Sequence, residues 1–175
     1  MNNKTKVKKL VFSAFFLALG VVLPFVTGQI KEIGDSLLPM HLVVMMAGLV
    51  LGGKYGLLVG LFLPPLRSVT VGMPPIFPNA VWMALEFATY GFVLGFLYHK
   101  FFKKQIWWLY VSLFVSMISG RIVWGLAKTI LLGVAGKAFT LSAFWIGGFM
   151  DAIPGIALQL VLIPFIVKLI EKYTK

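Results

Sequence analysis

Long apolar stretches alternate with short segments of polar residues and helix breakers along the whole chain. A helix that crosses a bilayer needs about 20 mostly apolar residues, with a range of roughly 17–25. The pattern therefore predicts an all-α integral membrane protein with six transmembrane helices, of which the second and third are short. All six belong to a single membrane domain over residues 1–175. The predicted helices are 9–27, 39–53, 55–66, 78–98, 107–132 and 141–170.

Prolines and glycines set the predicted ends of the short helices. Pro39 suits the first turn of the second helix, and Gly52-Gly53 closes that helix. Pro64-Pro65 is expected to end the third helix near residue 66. The middle external loop is rich in breakers and yet apolar, so we expect it to fold back over the protein as a lid. The predicted external loops are 28–38, 67–77 and 133–140.

The composition supports a membrane location and excludes several kinds of site. The chain is 60% hydrophobic and 12% charged, with a mean hydropathy of +0.98, whereas soluble domains average roughly 45–50% apolar and about 25% charged residues. It has no long polar stretch that would house an ATPase domain. The absence of cysteine excludes disulfides and thiolate metal sites, and two histidines are too few for a His-rich metal centre. No metal and no cofactor is expected.

The net charge of +11 is distributed in a way that indicates membrane topology. Most of the 16 lysines and arginines fall on one side if six helices alternate. The positive-inside rule makes that side cytoplasmic and places both termini there. The residues concerned are Lys4, Lys6, Lys8, Lys9, Lys54, Lys100, Lys103, Lys104, Lys168, Lys172 and Lys175.

Two cations, Arg121 and Lys128, lie inside the fifth apolar stretch. A charge at the bilayer centre costs from a few to more than about ten kcal/mol, depending on the scale. Arg121, Trp124 and Lys128 are spaced i, i+3 and i+7, so they share one face of the helix. We therefore expect that face to meet an anionic or polar group within the membrane.

Depth counting indicates which acids lie near these cations. At about 1.5 Å per residue, Glu86, Asp151 and Arg121 fall in one layer, while Lys128 and Arg67 lie above it towards the outside. One interpretation is that these groups neutralise one another as buried ion pairs. Three cations face two acids, however, so one positive charge is left over. It either snorkels to the interface or is balanced by an anionic ligand.

Further polar and aromatic residues complete the candidate binding site. Asn79 and Trp82 precede Glu86 by seven and four residues and so lie on its helix face. His41 opens the second helix near the external side, either as a capping or packing residue or as a ligand contact. The candidate substrate-binding residues are Arg121, Trp124, Lys128, Asn79, Trp82, Glu86, Asp151, Arg67 and His41.

Several short motifs, together with the six-helix pattern, resemble the substrate-binding S-component of an energy-coupling factor (ECF) vitamin transporter. The similarity is to the branch of riboflavin-, folate- and pantothenate-type S-components, and it spans nearly the whole chain. The motifs are Ala14-x-x-x-Ala18, Leu66-Arg67-Ser68, Gly72-Met73-Pro74-Pro75, Gly120-Arg121-Ile122-Val123-Trp124-Gly125 and Asp151-Ala152-Ile153-Pro154-Gly155.

This resemblance implies a high-affinity vitamin-binding protein of the bacterial plasma membrane that has no ATPase of its own. Ala14 and Ala18 would dock onto a transmembrane coupling subunit, which works with two cytoplasmic ATPase subunits. The vitamin would bind near the external face, against helices four to six. The S-component would then topple in the membrane and release the vitamin inside.

The substrate and the competing functions stay open at this point. The surplus positive charge favours a vitamin with a carboxylate, such as pantothenate, with Arg121 or Lys128 as its partner. A pyridoxine-like compound or a pyrimidine precursor would instead use Glu86, Asp151 and Asn79 with a stacked tryptophan. The alternatives to an S-component are a self-contained carrier or channel and, less well supported, a membrane enzyme. No metal-binding or nucleophile motif accompanies the carboxylates to support an enzyme.

Overall fold

The computed structural model describes residues 3–26, 37–101, 105–134 and 136–173, which are helical apart from short connections and contain no strand. The all-α prediction is therefore confirmed over these ranges. Residues 27–36, which include most of the first predicted external loop, and the linker 102–104 with its two lysines lie outside the described residues. The helices are α1 Asn3–Val26, α2 Pro39–Leu51, α3 Gly53–Val71, α4 Val81–Phe101, α5 Ile106–Val134, α6 Leu141–Trp145 and α7 Ile153–Tyr173. Two π-helical turns, Ile76–Ala80 and Ile146–Met150, precede α4 and α7.

Four helical segments are long and apolar enough to cross a membrane. The helix α2, with 13 residues, is apolar but shorter. All six predicted apolar stretches are thus helical, whereas the number that cross the bilayer and the side of the termini stay predictions. The four segments are Asn3–Val26, Ile76–Phe101, Ile106–Val134 and Leu141–Leu169.

The tightest packing is between α2, α3 and α4. Gly91 of α4 lies against the backbone of Gly56 in α3, and a Cβ added at Gly48 of α2 would meet the Gly91 carbonyl. Glycines let helix backbones approach this closely because no Cβ intervenes. Almost every side chain of α2 is buried in the core that these helices form with α1 and α5. A helix that is apolar all round is expected at such a central position.

The first helix packs on this core with one face only. Leu63 of α3 lies over Gly20 of α1, while Ala14 and Ala18 are exposed. Near its start, Lys9 donates a 2.8 Å hydrogen bond from Nζ to the carbonyl of Leu51, the last residue of α2. A cation at a helix C-terminus is favourable because the free carbonyls carry partial negative charge.

The prediction that the third helix ends near residue 66 is wrong. The helix continues through Pro64 and Pro65 to Val71. Proline in a helix interior removes a hydrogen bond, but membrane helices tolerate it where neighbouring helices compensate, and Pro64 is buried against them. The effective stop is Gly72, whose φ of 80° closes α3 in a left-handed cap.

The longer α3 shortens the middle external loop to a few residues. Arg67 Nη1 donates to the carbonyl of Met73 at 3.3 Å, and the Ser68 hydroxyl donates to the carbonyl of Pro74. These bonds tie the connection to the last turns of α3. The apolar side chains of Met73, Ile76 and Phe77 are exposed, so the expected lid over the protein is not formed by this segment in the isolated chain.

The predicted sixth helix is interrupted. After the short α6, the chain forms the π-helical turn Ile146–Met150 and then a turn at Asp151 and Ala152 before α7 begins. Gly147 and Gly148 lie in this interruption and face the Trp124 ring of α5, where an added Cβ would be 3.5 and 3.4 Å from the ring. Glycine has a low helix propensity and leaves room for the indole, so the break accommodates Trp124.

Candidate functional site

A buried carboxylate, Glu86, organises the centre of the bundle. Its Oε1 accepts hydrogen bonds from Arg121 Nη1 at 2.9 Å and from the Tyr90 hydroxyl at 3.1 Å. His41 Nε2 lies 3.4 Å from the same oxygen. We call these four residues the Glu86 cluster. They come from α2, α4 and α5, and all are buried.

Local structure places each member of the Glu86 cluster. Tyr90 follows Glu86 by one helical turn on α4, so its hydroxyl reaches the carboxylate. His41 lies in the first turn of α2, where its ring packs edge-on against Phe87 at 4.4 Å between centroids. His41 is therefore both the packing residue that the sequence favoured and a polar partner of Glu86. The positive charge of Arg121 is compensated within the protein.

A second cluster surrounds Lys128, two helical turns along α5 from Arg121. The Lys128 ammonium lies 4.6 Å from the ring centroid of Trp124, 5.0 Å from that of Phe139 and 5.3 Å from that of Trp82. We call these four residues the Lys128 cluster. Aromatic faces attract cations, which makes a half-buried ammonium tolerable here. Within the described ranges, no carboxylate forms an ion pair with Lys128.

Trp124 joins the two clusters. Its ring lies 5.8 Å from the Arg121 guanidinium carbon and packs against Phe139 and Phe144. Since α5 rises about 1.5 Å per residue, Arg121 and Lys128 are separated along the helix by roughly 10 Å, with Trp124 between them. The predicted shared face of these three residues is confirmed.

A cavity of about 140 Å³ lies beside the Glu86 cluster. Its polar lining consists of His41, Tyr90, Arg121 and Gln159. The first three belong to the Glu86 cluster, whereas Gln159 is contributed by α7. We call this space the Gln159 cavity. Its apolar lining residues are Leu38, Phe114, Met117, Ile118, Phe149 and Ile156.

Three of the predicted binding residues belong to neither the Glu86 cluster nor the Lys128 cluster. Asp151 is exposed and forms no ion pair with a described residue, and its expected place in the layer of Glu86 and Arg121 stays a prediction. The depth estimate assumed one straight helix, whereas the π-helical turn Ile146–Met150 directly precedes Asp151. Asn79 is half-buried in the π-helical turn before α4. Arg67 is at the end of α3, bonded to the following connection.

The family model for the ECF transporter substrate-specific component matches residues 8–167, almost the whole chain. The chain belongs to this family. No curated protein and no solved structure matches it. As an ECF substrate-specific component, or S-component, the chain is the substrate-binding subunit of an importer and not an enzyme. It works with a coupling subunit and an ATPase module. The predicted resemblance is therefore confirmed at the level of the family.

The site of this S-component contains three residues that sequence reasoning missed. Tyr90 was detectable, because it stands four residues after Glu86 on one helix face. Phe139 lies in the connection before α6, where helical spacing gives no information. Gln159 belongs to the sixth predicted helix. Its place in the Gln159 cavity depends on how α7 packs, which the periodicity of one helix does not contain.

Proposed function

We propose that this S-component binds a vitamin that carries a carboxylate, and that the vitamin is pantothenate. The observation that supports the proposal is Lys128, a half-buried cation without a described carboxylate partner. The charge of Arg121 is already balanced by Glu86. A carboxylate ligand placed at Lys128 would form a charge-assisted hydrogen bond while the surrounding rings exclude water.

The geometry disfavours a ligand that uses Glu86 as its main acceptor. Three side chains of the protein already approach Glu86 Oε1. The guanidinium of Arg121 already neutralises this carboxylate, so a pyridoxine-like or pyrimidine ligand that uses Glu86 would meet a charge that is already balanced. Asp151, the other candidate acid, is exposed. A ligand that is recognised through Glu86 and Asp151 is therefore the weaker alternative.

Replacement of Lys128 by methionine tests the substrate proposal. We expect Lys128→Met to weaken pantothenate binding at least tenfold, because the carboxylate loses its only charged partner, and a tenfold change corresponds to about 1.4 kcal/mol. Isothermal titration of the detergent-purified protein measures the effect. The control is Lys137→Met, which removes an exposed lysine and should leave the affinity unchanged. Equal affinities of wild type and Lys128→Met would contradict the role of Lys128.

We also propose that the exposed face of α1 docks onto the coupling subunit through Ala14 and Ala18. Small exposed residues at this spacing permit close approach of a second helix. Two cytoplasmic ATPases would complete the module in the plasma membrane, with both termini of the S-component cytoplasmic. The hydrogen bond of Lys9 to Leu51 supports this topology, because it brings the basic N-terminal segment beside the turn that carries Lys54.

A bulky residue on this face should separate docking from binding. We expect Ala14→Trp or Ala18→Trp to abolish co-purification with the coupling and ATPase subunits, while pantothenate affinity is retained. The control is Phe12→Trp, which is exposed but points roughly 160° away from Ala14 at 3.6 residues per turn. Loss of pantothenate binding in the alanine variants would mean that this face packs within the S-component itself.

A further inference from the structure

Gln159 carries a buried polar group that the protein does not satisfy. The residue is 1% exposed, and its Nε2 has no hydrogen-bond partner among the described residues. A buried donor without a partner destabilises the fold, because it has lost its hydrogen bonds to water and gained none. Ile156 and Ile163 lie on the same face of α7, three and four residues away, and Ile163 is fully buried. Packing alone would therefore favour leucine or methionine at position 159.

The position of this amide indicates what it could bind. Gln159 lines the Gln159 cavity together with Tyr90 and Arg121, whose hydroxyl and Nη1, respectively, donate to Glu86. A cavity needs roughly 10–15 Å³ to hold one water molecule, so about 140 Å³ accommodates a group of several heavy atoms. The free donor and the apolar lining are suited to a compact, largely apolar group that carries a hydrogen-bond acceptor.

We propose that Gln159 is a specificity-determining residue that donates a hydrogen bond from Nε2 to an uncharged acceptor on the bound substrate. This inference rests on the substrate-binding role proposed above and assigns the neutral end of the ligand to the Gln159 cavity. The carboxylate end would lie beyond Trp124 at Lys128. For pantothenate, the branched pantoyl end with its carbonyl and hydroxyl oxygens would occupy the cavity. A ligand without an acceptor at this end would leave the amide unpaired and bind more weakly.

The test compares the stability of the ligand-free protein with its affinity for pantothenate in Gln159→Met. We expect the melting temperature of the ligand-free variant to rise, because an unpaired amide is replaced by an apolar side chain of similar length. We expect its pantothenate dissociation constant to increase at least tenfold in isothermal titration. Replacement of a residue that only fills the core would not raise the melting temperature and weaken pantothenate binding at the same time. Gln159→Leu serves as a second apolar variant if Gln159→Met does not fold.

The matched control is Ser116→Ala. Ser116 is also fully buried, but its hydroxyl donates to the Leu113 carbonyl at 2.8 Å and does not line the cavity. Its removal should leave the pantothenate affinity unchanged. An unchanged affinity in Gln159→Met would overturn the proposal. A lower melting temperature in both apolar variants would also overturn it, because it would show that the amide is satisfied without a ligand.

Failure of the pantothenate assignment is distinguishable from failure of the Gln159 proposal. If wild-type protein does not bind pantothenate, that substrate is wrong. The role of Gln159 is then decided by native mass spectrometry of freshly purified wild type and Gln159→Met. A smaller fraction of variant molecules carrying a co-purified small molecule supports the proposal. Equal fractions, or no small molecule on the wild type, overturn it.

Discussion

Gly91→Leu is expected to abolish the folded protein. An added side chain at Gly91 would meet the backbone of Gly56, and backbone atoms cannot move aside as a flexible side chain can. The substitution would therefore force α3 and α4 apart and open the core around α2. Overpacking of a well-packed core typically costs about 1–3 kcal/mol and occasionally more, and this site is at the more severe end because two backbones are in contact. Monodisperse elution in detergent and the melting temperature report the loss.

Gly133→Ala is the matched control for this prediction. Gly133 is in the last turn of α5, where an added Cβ has open space around it. Alanine has a helix propensity about 1 kcal/mol better than glycine, so this variant should melt at the wild-type temperature or slightly above. A Gly91→Leu protein that elutes and melts like wild type would show that α3 and α4 do not cross at this point.

Glu86→Gln is expected to destabilise the protein by about 3–5 kcal/mol, because it leaves the charge of Arg121 buried without a counter-charge. The amide oxygen of glutamine can still accept hydrogen bonds from Tyr90 and His41, so the variant isolates the charge. Arg121→Met should be similarly unfavourable, since it leaves the Glu86 carboxylate unpaired. The double variant Glu86→Gln/Arg121→Met removes both charges and should be markedly more stable than the sum of the single effects predicts.

The double-mutant cycle tests the ion pair between Glu86 and Arg121. The changes in unfolding free energy caused by substitutions at two sites that do not interact add to within about 0.3–0.5 kcal/mol. Additivity of Glu86→Gln and Arg121→Met, measured from melting in detergent, would therefore contradict the 2.9 Å ion pair. Lys137→Met, which removes an exposed cation, controls for the change in net charge and should leave the melting temperature unchanged.

The apolar pattern of the sequence was sufficient to predict the helices and one central contact. All six apolar stretches are helical over the described residues, and depth counting brought Glu86 and Arg121 together correctly. It succeeded because both residues lie on uninterrupted helices, α4 and α5, in which each residue advances by about 1.5 Å along the axis. The corresponding depth of Asp151, which follows the π-helical turn Ile146–Met150, stays a prediction.

Tertiary packing decided the features that the sequence did not predict. Pro64-Pro65 indicated a helix end, but Pro64 is buried against neighbouring helices and α3 continues beyond the two prolines to Val71. The aromatic environment of Lys128 includes Phe139, which reaches Lys128 from a connecting segment and follows no helical period. The unpaired amide of Gln159 is a consequence of which groups the surrounding helices place next to it. Such features depend on several elements at once.

We propose that this chain captures a carboxylate-bearing vitamin, pantothenate, and does not transport it without its partner subunits. Uptake of radiolabelled pantothenate into liposomes that contain this chain alone is the decisive measurement. We predict saturable binding that stops at about one pantothenate per protein, is independent of ATP and is reduced in Lys128→Met liposomes. Continued accumulation beyond the amount of protein would identify a self-contained carrier instead. The absence of any retained label would contradict pantothenate as the substrate.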